Sequence, residues 1–98
     1  MRAILIAAAL FAAAPALAQA PAAPNRAVLT DAARAPTRPV IIDGAAWRCE
    51  GATCTASGGA NQPAPRACRR VVARLGPLTE FVWKGETLSA EQLAACNA

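Results

Sequence analysis

The chain has no histidine and no tyrosine, two phenylalanines, two tryptophans and six carboxylates. Without histidine or tyrosine it lacks the usual general base near neutral pH and the usual hydroxyl donors, so no enzymatic activity is expected. The carboxylates Asp43, Glu50, Glu80, Glu86 and Glu91 are dispersed along the sequence and would pair only through tertiary folding. Asp43-Gly44 reads most simply as a turn or a strand kink, and Glu91 suits a first helical turn, where negative charge is favourable. Large apolar residues are scarce after the N-terminal region. A core made from Val40–Ile42, Trp47, Val71, Val72, Leu75 and the stretch Leu78–Trp83 is marginal for about 60 residues and calls for covalent support.

The N-terminus carries an export pattern. Arg2 gives a minimal positive start, Ala3 to Ala14 form an unbroken apolar run, and Ala16-Leu17-Ala18 supplies a small-x-small cleavage site. The run is too short for a transmembrane helix, which takes about 20 residues, and no later stretch could span a bilayer. A signal peptide over residues 1–18 is therefore expected, with a cut after Ala20 as the alternative, and with it a periplasmic or secreted location. Residues 19–39 are mostly Ala, Pro and Arg and read as a flexible segment, because proline removes backbone donors and alanine buries little area. Val28 and Leu29 are the residues there with something to pack. Residues 40–98 are left as the folded domain.

Four cysteines, Cys49, Cys54, Cys68 and Cys96, supply the covalent support. Val40–Ile42 begins an extended segment reaching Cys49, and Gly51-Ala52 suits a two-residue hairpin loop with positive φ at the glycine. In that register Glu50 faces Thr53 and Cys49 faces Cys54 at a non-hydrogen-bonded pair, close enough for a disulfide; a four-residue loop would also bring them together. Further on, Cys68, Val71, Val72 and Leu75 share one face of a helix over Pro65–Leu75, ended by Gly76-Pro77, with Arg66, Arg69, Arg70 and Arg74 on the opposite face. Leu78–Trp83 reads as a strand and Lys84-Gly85 as a tight turn. Ser89 and Gln92 form a capping box for a last helix from Ala90 to Cys96, with Leu88 and Leu93 as a hydrophobic staple and Asn97 suited to a left-handed end. Four cysteines permit three connectivities; local geometry favours Cys49–Cys54 with Cys68–Cys96. The expected fold is a small disulfide-stapled α+β domain, two short β-hairpins and two short helices in the order ββ-α-ββ-α.

A Cys₄ zinc site is not expected, since only one close pair exists, nor is a thiol oxidoreductase, which favours C-x-x-C at a helix N-terminus. No cofactor is expected. The strings Trp47-x-Cys49-x₄-Cys54, Ala67-Cys68-Arg69-Arg70 and Leu93-x₂-Cys96-Asn97 resemble an uncharacterised family of small exported four-cysteine proteins from alphaproteobacteria, over about residues 40–97. The resemblance implies paired cysteines and a periplasmic location, and supplies no catalytic or binding residue. Two functions of different class follow. One is a non-catalytic structural or interaction module, whose Arg66, Arg69, Arg70 and Arg74 face meets an anionic envelope component or an acidic protein, or serves only as a solvated face. The other is peptide, glycan or small-molecule binding, or an accessory role to an enzyme, in an aromatic groove near Trp47 and Trp83, against which stands simple core packing. A formal charge of +4, together with export, does not point to nucleic acid.

Overall fold

The computed structural model describes residues 24–98; the proposed signal peptide and its cleavage site lie outside them. The described chain forms β1 (Asn25–Leu29), β2 (Val40–Ile42), β3 (Ala45–Glu50), β4 (Thr53–Ala56), α1 (Ala64–Leu75), β5 (Leu78–Trp83), β6 (Glu86–Thr87) and α2 (Ala90–Asn97). The strands make one six-stranded antiparallel sheet in the order β2-β3-β4-β1-β5-β6. Both helices pack on β5 and on each other. The class is α+β with two helices, as the sequence predicts.

Three tight turns set the hairpin registers. Gly51 takes φ +62° at the first loop position, and the pairs Glu50–Thr53 and Cys49–Cys54 follow directly. Asp43 and Lys84 each take φ +49° and are followed by a positive-φ glycine, the signature of type I′ turns whose twist matches the strands they join. The extended segment expected from Val40 to Cys49 is therefore a hairpin, β2–β3, folded at Asp43-Gly44.

The flexible segment expected over residues 19–39 needs correction within its described part. Asn25–Leu29 is a strand near the middle of the sheet, held by β4 on one side and β5 on the other. Its prolines bracket the strand rather than interrupt it: Pro24 precedes it, and Pro36 and Pro39 follow. Alternate residues Asn25, Ala27 and Leu29 face the core while Arg26 and Val28 face outward. After β1 a 3₁₀ turn, Ala32–Arg34, is capped by the Asp31 side chain. The folded unit thus starts at least fifteen residues before Val40, and the element order gains one strand before the first hairpin and a second within it.

The core lies between the inner sheet face and the helices. Trp47, Phe81 and Trp83 form an aromatic row, with centroids 6.2 Å apart in each step. Val71, Leu75, Leu78 and the Cys68 sulfur pack around it. Asn25 is fully buried among them, and its amide is satisfied in both directions. It donates to the Gly58 carbonyl at 3.0 Å and accepts from the Lys84 N–H at 2.8 Å, tying the loop after β4 to the β5–β6 turn. Asn97 does a similar job at the other end. Instead of closing α2 in a left-handed conformation, it remains helical and clasps Leu78 with both side-chain atoms, accepting from its N–H at 2.9 Å and donating to its carbonyl at 2.7 Å.

Candidate functional site

The disulfides occupy the pairs that local geometry favours. Cys49–Cys54 crosses β3 and β4, with Cα atoms 3.9 Å apart, and Cys68–Cys96 joins α1 to α2, with Cα atoms 6.0 Å apart. The second bridge is buried, whereas Cys49 is partly exposed. No cysteine is free, so thiol and thiolate chemistry has no donor in this state of the chain.

The basic face is built by α1. Its apolar positions Ala64, Ala67, Cys68, Val71 and Leu75 turn inward, which leaves Arg66, Arg69, Arg70 and Arg74 exposed on the opposite side. The helix starts without a side-chain cap and has no acidic residue in its first turn. Arg66 therefore sits near the positive end of the helix dipole, where a cation is unfavourable and an anion welcome, while Arg74 in the last turn sits favourably. At the C-terminal end the Gly76 N–H donates to the Val72 carbonyl at 2.9 Å. Gly76 takes φ +94°, a conformation L side chains rarely adopt, so a larger residue there would be strained even though the Arg34 guanidinium beside it could move aside.

The four arginines are not equivalent. Arg70 is clamped by Asp43, with Nε to Oδ2 and Nη2 to Oδ1 both at 3.0 Å. Gln62 adds a third donor to the same carboxylate at 3.3 Å. The Arg70 hydrogen bonds, then that from Gln62, hold the Asp43 carboxyl below its ordinary range, and Asp43 raises Arg70 in return. The clamp fixes the β2–β3 turn to α1. The guanidinium groups of Arg66, Arg69 and Arg74 have no ion-pair or hydrogen-bond partner among the described residues. Asp43 was not legible as a partner from sequence, because its Asp-Gly turn is 27 residues from Arg70.

Two shallow grooves share the Asp43 wall. One, of about 280 Å³, is lined by Ile41, Ile42, Asp43, Arg70, Ala73 and Arg74. The other, of about 320 Å³, runs along Ala60–Pro63 to Arg66. Ile41, 61% exposed, is the exposed large apolar side chain of the described residues and borders the first groove. Trp47 and Trp83 are core residues, as simple packing implies, and the alternative aromatic groove near them is not formed. The two side chains are 0% and 4% exposed and stack on either side of Phe81, because inward positions of β3 and β5 carry them into the core. No cluster of three or more metal-ligating side chains occurs among the described residues. No helix among them is long and apolar enough to cross a membrane.

A family model described as a family of unknown function, DUF8200, matches residues 6–98. The chain belongs to that family. No curated protein and no solved structure matches it. For this DUF8200 member the functional reading therefore rests on its own surface.

Proposed function

We propose that this chain is an exported, non-catalytic binding module of the periplasm or cell exterior, and that its α1 face recognises phosphate or carboxylate groups of an envelope component. The observation that carries the reading is the trio Arg66, Arg69 and Arg74, exposed on one face of a rigid helix and without a carboxylate partner among the described residues. Guanidinium groups match phosphate and carboxylate geometry better than ammonium does. The Asp43–Arg70 clamp neutralises one member of the stripe and fixes the helix against the sheet, so the remaining three are presented in a set arrangement. Export is supported by the signal-like N-terminus and by two disulfides, which persist in oxidising compartments. The absence of histidine and tyrosine from the sequence supports a non-catalytic role.

The reading is tested by binding of the oxidised chain to polyglutamate and to phosphatidylglycerol vesicles. Binding to at least one is expected at low salt, falling steeply as salt rises. Arg69→Glu combined with Arg74→Glu should abolish it, and this pair spares the Asp43 clamp. Binding to neither probe at low salt, or binding indifferent to salt, removes the reading.

A further inference from the structure

The edge of the sheet beside the basic helix has a second property. In a two-residue hairpin the residues flanking the loop form a hydrogen-bonded pair, and the next pair does not. Here Ile42 faces Ala45 across the Asp43-Gly44 turn, so Ile41, opposite Ala46, aims its N–H and C=O away from β3. β2 is an edge strand, and no other backbone or side-chain group among the described residues takes those two atoms. A donor and acceptor thus stand side by side, next to an exposed isoleucine and a groove walled by Arg70 and Arg74.

Resting on the basic-face reading above, we infer that this edge docks a short extended polypeptide segment of another protein, acidic at alternate positions, which adds a strand to β2. The register specifies the segment. The residue opposite Ile41 exchanges two backbone hydrogen bonds with it and has its side chain on the Ile41 side of the sheet, where an apolar residue fits. Its two neighbours point to the other side, toward α1, where carboxylates meet Arg74 and the outer edge of Arg70. The matching sequence is acidic-apolar-acidic.

Charge complementarity selects this occupant over a second copy of the chain. Two copies pairing β2 to β2 antiparallel would keep their helices on one side of the joined sheet and bring both Arg70–Arg74 walls to the junction, where like charges repel. A lipid surface would satisfy the arginines and leave the backbone pair without a partner. The usable edge is short. Pro39, with no N–H, ends it on one side and the turn ends it on the other, so the expected affinity is weak, on the order of 0.1–1 mM.

The test uses the oxidised chain and the synthetic peptide acetyl-Thr-Glu-Val-Glu-Thr-amide, read by amide chemical shifts. The Ile41 amide should move and exchange more slowly with solvent. N-methylation of the peptide valine should weaken binding about tenfold. Arg74→Glu should remove it, and a Lys-Val-Lys peptide should not bind. Equal binding of the N-methylated peptide, or an Ile41 amide that does not respond, overturns strand addition. If the peptide fails while polyglutamate or anionic vesicles still bind, strand addition is wrong and the basic-face reading stands. If none of them binds, both fall.

Discussion

Asp43 shows how much one side chain does here. Its carboxylate takes hydrogen bonds from Arg70 and Gln62 and lies close to Arg66. Its pKa is lowered relative to the unfolded chain, so its stabilising contribution is complete above the ordinary aspartate value of about 4 and is lost as pH falls through the lowered folded value. Carbon-detected titration of Asp43 should give a midpoint below that of a free aspartate, and Arg70→Gln should move it back up. A midpoint unchanged by Arg70→Gln would show that the clamp is not maintained in solution. At this scale the sequence is legible where chemistry is local, as at the Ser89–Gln92 capping box, which forms with both hydrogen bonds in place. It is opaque where the partner is distant. Nothing near Asn25 announces that it binds Gly58 and Lys84, and nothing near Asn97 announces Leu78, since those pairings exist only once the sheet has brought the segments together.

The hairpins and helices follow the same division. β3–β4, β5–β6, α1 and α2 carry their own turn residues, caps and apolar periodicity, and each forms close to where those signals put it. β1 carries none of them. Asn-Arg-Ala-Val-Leu has few β-branched residues and sits in Ala/Pro-rich surroundings, and its strand character comes from two neighbours that flank it. The two disulfides likewise differ as elements. Cys49–Cys54 clamps an already tight hairpin and is partly open to solvent, whereas Cys68–Cys96 is enclosed between two helices. Graded treatment with dithiothreitol followed by alkylation and mass mapping should label Cys49 and Cys54 first. In the chain-entropy model, replacing the first pair by serine costs about 2 kcal/mol and replacing the second about 3.5 kcal/mol, because the second closes the longer loop. Denaturation midpoints of the two double variants give the order, and equal losses would contradict it.

The whole molecule depends on its N-terminal strand. Without β1 the sheet has nothing between β4 and β5, and it divides into a β2-β3-β4 piece and a β5-β6 piece that share no strand pairing. A chain starting at Arg38 keeps both disulfides, both helices and the whole aromatic row, yet it should lose cooperative unfolding and amide dispersion. A well-dispersed, cooperative Arg38–Ala98 fragment would show β1 to be dispensable. The same arrangement fixes an order of events. A chain that emerges N-terminus first, from a ribosome or through a narrow pore, presents β1 before any of its partners. β4 arrives about two dozen residues later, and β5 only once Leu78–Trp83 has followed. Its Arg26–Glu80 ion pair spans 54 positions. β1 leaves first and is closed in only by β5. Until β4 arrives both its sides are unsatisfied, and one stays open while the whole of α1 follows.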